Sequence, residues 1–512
     1  MDRKIYIQTA KLVKQWGESP LSSGITLHKT LMWEGVSLWD AIAPIFTLTR
    51  LPLYISSEGE YHYPSWKQSL RLFIRYWVKR FGSPKLHLFP HTNNEKFEQN
   101  SAALFLNFQP IFLRETFEAS AEILFKHHQI QTVALSEAPQ KGLHPFISFR
   151  SILDYGNSQL NSRLRQHLKN WNSTQKKLLQ ELPSIINQTG PLWPFLKNEF
   201  KWFIHCEIPK LLKYLILAEH ILKEIQPRII ISPDDTDPRT RLYTSLARNL
   251  KIPSLIMQQG PFDEYASEWS FFSGDKVASY GKEFSDILVG FGIPLSQIHV
   301  TGCPRFDILL QNSEDTRQKI RRSLHIKSDP KVVLFASQPN VPGAFHHSEI
   351  RREMIRSIGK IVPQFEHLHL VVKPHPGEKE REVRQLIGKN LRVSFVNGQS
   401  DIRDFIRASD IIITFFSTSG LLGLINGKPL ICVQFGKATG KNFYEKYGLA
   451  PIARSPEDLK KLLILSSAKG TLSNETKNVL ENLVWHSDGK AASRVADLVV
   501  KTSKKFENNA VL

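Results

Sequence analysis

Cysteine, acidic residues and long apolar runs are all scarce in this chain. Its 3 cysteines, Cys206, Cys303 and Cys432, are odd in number and show no CxxC spacing. Neither a disulfide framework nor a zinc module can be built from them, and they read as incidental thiols of a reducing cytoplasm. The opening MDRKIYIQTAKLVKQWGE lacks the apolar core and small-residue cleavage site of a secretory signal, so export is not expected. The longest apolar-looking stretch, Leu31 to Tyr54, is broken by Glu34, Asp40, Pro44, Arg50 and Pro52, a poor membrane span. The expectation is a cytoplasmic protein, soluble or peripheral on the inner face of the plasma membrane.

The acidic shortfall is large. Over 512 residues, 67 Lys plus Arg against 48 Asp plus Glu leave 67 − 48 = +19. Such an excess concentrates polyanions, whether nucleic acid, anionic lipid or anionic substrates. No zinc finger, RGG tract or RNP-like aromatic motif accompanies it, so specific nucleic-acid reading is not expected. With 41% apolar and 10% aromatic residues the chain is an ordinary globular one, long enough for two or three domains.

Aromatic and basic residues alternate through the first hundred positions. Trp66 to Phe81 reads as a helix with Leu70, Phe73, Ile74, Trp77 and Val78 on one side and Lys67, Arg71, Arg75, Lys79 and Arg80 around them. Such a helix suits an anionic bilayer, and it equally suits the cover of a first domain. From Ser101 onward short apolar runs alternate with helical periodicity. The runs are Ala102–Phe108, Gln131–Leu135, Pro227–Ser232, Pro253–Met257, Lys276–Tyr280 and Ile298–Thr301. A polar stretch, Asn157 to Glu181, has few strand signals, and Phe195 to Ile225 is helical in pattern.

After the basic segment Thr316–Lys327 a second series begins at Lys331 and continues at His367–Val372, Leu391–Phe395, Ile411–Phe415 and Pro429–Val433. The expected fold is α/β, with two Rossmann-like doubly wound parallel-sheet domains facing a cleft. The expected divisions are a segment 1–100, a first Rossmann-like domain with a helical insertion 101–314, a second Rossmann-like domain 331–484, and a helix with tail 485–512.

In such sheets ligands bind beyond the carboxyl ends of the strands, so the loops there hold the candidates. After Phe335, small and proline residues accompany Ser337 and Gln338, which can hydrogen-bond phosphate or ribose. After Val372, Lys373-Pro374-His375-Pro376-Gly377-Glu378 fixes a histidine between two prolines beside a cation. No second histidine or carboxylate stands at ligand spacing, so no metal is expected there. After Thr414, Ser417-Thr418-Ser419-Gly420 opens a helix and offers hydroxyls and free N–H groups to an anion. Ser417 or Thr418 equally serves as a plain N-cap. In the first domain Asp234-Asp235-Thr236-Asp237 follows Ile231. A carboxylate there could act as general base, or Asp235 or Asp237 could cap the helix starting near Pro238. Gln258-Gln259-Gly260 ends the next strand and could line the same cleft.

KPHPGE, the FFSTSG helix start, GCPRFD, the QQG turn after PSLIM, and SDGKAASRVADLV together resemble bacterial surface-carbohydrate enzymes of the two-Rossmann GT-B architecture. Those relatives are capsule-polysaccharide and lipopolysaccharide biosynthesis proteins, CDP-glycerol glycerophosphotransferases, and bacterial sialyl- and polysialyltransferases. The resemblance spans about Pro227 to Val500. It implies an enzyme working without metal or cofactor that moves a sugar or polyol phosphate from a nucleotide-activated donor to a surface-glycan or lipid-linked acceptor. By this resemblance His375 contacts the donor phosphate and aids its departure, Ser417, Thr418 and Ser419 bind it, and Asp234 or Asp235 activates the acceptor. Arg305, in GCPRFD, joins Gln259 and Gly260 along the cleft. Relatives often have Gln-His-Gly where this chain has Gln258-Gln259-Gly260, and the sialyltransferases' acidic pair is followed by glycine where Thr236 stands here. A UDP-sugar 2-epimerase-like enzyme and a non-catalytic glycan-binding scaffold share the fold and stand as alternatives.

Overall fold

A computed structural model of the chain describes residues 4–55, 60–63, 70, 102–109, 113–137, 144–310, 314–326, 329–339, 348–436, 442–469, 472–485 and 487–510. The expected aromatic-basic helix from Trp66 to Phe81 lies outside the described residues, apart from Leu70.

Two parallel sheets dominate. The first contains β1 (Ala102–Leu106), β2 (Gln131–Ser136), β3 (Ile147–Ser151), β4 (Ile229–Ser232), β5 (Ser254–Met257), β6 (Lys276–Ser279) and β7 (Ile298–Val300). The second contains β8 (Lys331–Ala336), β9 (Leu368–Lys373), β10 (Val393–Phe395), β11 (Ile411–Thr414), β12 (Leu430–Val433) and β13 (Ile452–Ala453). The strand orders are β3-β2-β1-β4-β5-β6-β7 and β10-β9-β8-β11-β12-β13, every pairing parallel. Both therefore reverse direction between their first and fourth strands, as doubly wound nucleotide-binding sheets do. The runs Ile229-Ile230-Ile231 and Ile411-Ile412-Ile413 are wholly buried, which suits β-branched residues covered by helices on both faces.

The amino-terminal residues join the first half of the molecule. The helices α1 (Lys4–Glu18) and α2 (Leu38–Ile45) share a core with α3 (Ser158–Ile186) and α4 (Ile208–Ile225). Trp16, Trp39, Phe46 and Phe200 form its aromatic centre, with the Trp39 and Phe200 rings stacked at 6.3 Å. Inside it, Arg50 pairs with Glu199 at 3.3 Å, and the Tyr54 hydroxyl donates to the same carboxylate at 3.1 Å. The polar stretch after Asn157 is one helix of 29 residues, because Leu160, Leu164, Trp171, Leu178, Leu182 and Ile185 recur on a single buried face. The helical pattern from Phe195 to Ile225 is one path with a π turn at Phe203–Glu207.

The carboxyl-terminal helix α8 (Ala491–Ala510), following α5 (Pro238–Asn249), α6 (Pro304–Leu310) and α7 (Thr418–Ile425), crosses back to the first sheet. Its Val495, Ala496, Leu498 and Val499 pack with Phe105, Phe117 and Ile231. Two motifs noted in the sequence lock together here: Asp307 of GCPRFD accepts the N–H groups of Ala491 and Ala492 at 3.1 and 2.8 Å. Arg494 in turn donates to the Thr301 carbonyl at 2.8 Å. The basic segment after Glu314 packs on the second sheet, where Asp410 accepts Arg317 at 2.6 Å and faces Arg321 at 3.6 Å. Cys303 and Cys432 are buried and all three cysteines are free. Among the described residues no helix is long and apolar enough to cross a membrane.

Candidate active site

A cleft of about 960 Å³ lies between the sheets, at the strand ends where both reverse. Loops after β1 and β4 supply Gln109, Asp234 and Asp235; loops after β8 and β11 supply Ser337, Ser417, Thr418 and Ser419. Lys373, His375, Gln259, Gly260 and Arg305 line it as well. Of the residues singled out from sequence for the cleft, Gln258, Gln338 and Gly420 lie outside the lining; Gln258 is buried and accepts the Tyr280 N–H at 2.8 Å. The Gln338 side chain instead accepts the Phe416 N–H at 2.8 Å, fastening the end of β8 to that of β11. Gly420 is buried beneath the α7 start, where a Cβ would come within 2.8 Å of the Tyr444 ring. Glycine is required there because the Tyr444 hydroxyl donates to the Ser417 carbonyl and accepts the Leu421 N–H at 2.9 Å. The absent side chain thus fixes the geometry of the helix start.

The wall from the second sheet is rich in cations and donors. Ser417 caps α7, accepting the Ser419 N–H at 3.2 Å. Lys373 is 5% exposed and donates to the Gly398 carbonyl at 2.8 Å; burial pushes its pKa down. Arg305, at the start of α6 after β7 of the first sheet, reaches this side; it is equally sheltered, and burial with the nearby Arg403 charge lowers it to about 10, still cationic at neutral pH. Arg114, from the first half, reaches the same side. His375 accepts the Gly377 N–H on Nδ1 at 3.0 Å. That bond places the proton of the neutral ring on Nε2. Partial desolvation and the Lys373 charge, against the opposing pull of Glu378, lower the His375 pKa, so the ring is a neutral donor near pH 7.

Glu378, the last residue of KPHPGE, holds this loop. One carboxylate oxygen accepts the His375 N–H at 2.7 Å; the other accepts the Ser337 hydroxyl at 2.9 Å and pairs with Arg351. Its side chain is 3% exposed. The Ser337 hydroxyl is thereby committed to the protein, leaving that residue to shape the wall rather than to donate to a ligand.

The opposite wall carries carboxylates. Asp234 accepts the Thr236 N–H and hydroxyl, each at 2.7 Å, and the Gln109 amide at 3.2 Å. Asp235 accepts the Ser273 N–H at 2.8 Å and its hydroxyl, and faces Arg241 at 3.4 Å. Burial raises the pKa of both. The helix cap is neither of them: Asp237 accepts the Arg239 N–H at 2.9 Å and starts α5. A third carboxylate, Glu268, lines the cleft beside Trp269. Its Oε2 is shielded and accepts no hydrogen bond from the described residues, and burial pushes its pKa up to about 7. The two walls meet where Gly260 approaches Thr418: a Cβ on Gly260 would sit 3.7 Å from the Thr418 hydroxyl.

Residues 277–501, which supply most of the donor-rich wall, match the model of the CDP-glycerol:poly(glycerophosphate) glycerophosphotransferase family. The second half of the chain is thus similar in sequence to a glycerophosphotransferase domain. With the two-sheet frame, this makes the chain a GT-B enzyme that transfers a sugar or polyol phosphate from a nucleotide-activated donor. Among solved structures it is similar to a protein assigned as a UDP-N-acetylglucosamine 2-epimerase from Listeria monocytogenes. The two are 14% identical with a TM-score of 0.51, over 80% of this chain and 98% of that one. It is also similar to the UDP-GlcNAc 2-epimerase of Methanocaldococcus jannaschii, 12% identical with a TM-score of 0.50, over 78% of this chain and 99% of that one. The wall teichoic acid polymerase TagF follows at 13% identity and a TM-score of 0.48, over 86% and 99% of the two chains. No curated protein matches the chain in sequence. At these identities the epimerase likeness is one of fold.

Proposed function

We propose that this GT-B transferase acts in assembly of a surface polysaccharide, with the donor's phosphates on the second-sheet wall and the acceptor's hydroxyl on the first-sheet wall. The observation that carries the reading is the opposition across one cleft of a donor-rich wall, Lys373, His375, Arg305 and Ser417–Ser419, to a carboxylate wall. The acceptor oxygen forms a bond to the transferred carbon or phosphorus as the bond to the nucleotide's phosphate oxygen breaks. The electron pair leaves with the nucleotide. Its charge falls to Lys373, Arg305, the His375 Nε2–H and the α7 N-terminus, so protein groups supply the stabilisation that a metal supplies elsewhere. The hydroxyl proton passes to a carboxylate of the facing wall.

Part of the +19 charge serves the donor phosphates, and part holds the enzyme to anionic lipid at the inner membrane face, where lipid-linked acceptors reside. Calorimetry with CMP, CDP and UDP, followed by donor turnover in wild type and His375→Ala, tests the reading. Binding of one nucleotide and slowed turnover in the variant is the expected outcome. Wild-type turnover in His375→Ala would refute the phosphate role, and epimer formation from a donor incubated alone would point to an epimerase.

A further inference from the structure

Glu268 lines a second space as well. A chamber of about 300 Å³ opens off the main cleft and shares Pro261, Phe262, Glu268 and Thr418 with it. This is the small end of the range for ligand sites. Its walls bring together distant parts of the chain: Tyr6 and Leu48 from the amino-terminal helices, Phe262 and Tyr265 from the loop after β5, and Phe416 and Phe443 from the second half. Among the described residues no lysine, arginine or histidine lines it, whereas Asp263 and Glu268 do. An anionic phosphate is therefore disfavoured in the chamber, and a neutral polyhydroxyl ligand is favoured. Aromatic faces suit the C–H surface of a sugar ring, and carboxylates accept its hydroxyls.

The three carboxylates at the cleft differ in what they have left to offer. Asp234 is occupied by Thr236 and Gln109, and Asp235 by Ser273 and Arg241. Gln259, also on this wall, has an amide that does not ionise. Glu268 keeps one shielded oxygen at the mouth of the chamber that has no partner among the described residues. Leaving a buried acceptor unmade is costly, which asks for a ligand donor at that oxygen.

Resting on the transferase reading above, we propose that the chamber seats the terminal sugar ring of the acceptor and that Glu268 receives the proton of the attacking hydroxyl. As that O–H bond breaks, the oxygen bonds to the transferred atom and the nucleotide leaves with its electron pair. The proton on Glu268 then passes to solvent as product leaves. Burial, reinforced by Asp263 and Asp234, holds the Glu268 pKa near 7, suited to exchanging a proton at neutral pH.

The test uses the full chain with CDP-glycerol as probe donor and methyl glycosides of hexoses and N-acetylhexosamines as probe acceptors. CDP release stimulated by a glycoside is expected to fall about 100-fold in Glu268→Gln and to recover in part in Glu268→Asp, while CDP affinity stays within about twofold. Stimulated release in Glu268→Gln within about threefold of wild type would overturn the proposal. If wild type binds none of CDP, CMP and UDP, the donor reading fails instead, and the chamber is then judged by nuclear magnetic resonance of glycoside binding alone. Binding weakened about tenfold in Tyr265→Ala supports it; absent or unchanged binding overturns it.

Discussion

The two walls of the cleft stand on sheets of the same order, yet they are built in opposite ways. The second-sheet wall is assembled mainly from three short loops, each directly after a strand and joined by Arg114 and Arg305 from the first half, with its groups tied down by neighbours: His375 by Gly377 and Glu378, Lys373 by Gly398, Ser417 by Tyr444. The first-sheet wall gathers residues from much further apart, Tyr6 through Glu268, and leaves one carboxylate oxygen unmatched. A wall that binds the same leaving group each turnover gains from preorganised donors. A wall that must take up a proton gains from a group whose charge is not already settled.

The largest effect that bears on this contrast should come from the donor side. His375→Ala is expected to cut donor turnover by about 100-fold or more, the scale of losing one aimed donor, with nucleotide affinity changing much less. A loss confined to KM would show that His375 binds without aiding departure. Next comes the staple: Glu378→Ala strands Arg351 and frees the His375 loop, at an expected cost of about 3 kcal/mol by denaturant unfolding together with slower turnover. Gly420→Ala drives a methyl against the Tyr444 ring and is expected to cost about 1–3 kcal/mol. A neutral result would mean the α7 start is looser than its hydrogen bonds imply.

The acceptor side is sharpened by pH. The Glu268 carboxyl is raised from 4.5 to about 7 in the folded state, so between those values the native protein holds more protons than the unfolded one. Stability from this group is present below about pH 4.5 and is lost as pH rises through about 7. Glu268→Gln is therefore expected to be more stable than wild type at pH 8, on the order of 2–3 kcal/mol, and to match it near pH 4. Equal melting temperatures at pH 8 would place Glu268 in water rather than in the chamber. The smallest effect concerns the charge excess: replacing the lysines and arginines between Trp66 and Phe81 with glutamine is expected to weaken binding to anionic liposomes severalfold, read by sedimentation.

The same contrast explains what could be read from the chain. Ile229–Ser232 and Ile411–Thr414 announce themselves as buried strands because β-branched runs sit between helical patterns. The donor loops are legible because proline, glycine and hydroxyl residues cluster directly after such runs. The edge strand Ile147–Ser151 escapes notice because its middle is half exposed and includes Arg150. Glu378 stands in plain view within KPHPGE, but its bonds to Ser337 and Arg351 join residues brought together only by the sheet. Glu268 carries no local signal at all, since the turn that holds it, Ser267–Phe271, is packed against the amino-terminal helices α1 and α2, far away in sequence. The destination of α8 is hidden for a similar reason: the spacing of Val495 and Val499 marks an apolar face without saying which sheet it covers.

The claim on which the rest depends is that the second-sheet wall holds a nucleotide's phosphates. Calorimetric titration of the full chain with CMP, CDP and UDP, repeated with Lys373→Ala, tests it most directly. One nucleotide binding wild type, and binding the variant at least tenfold more weakly, is the expected result. Equal affinity in the two proteins, or no binding of any of the three to wild type, would contradict it.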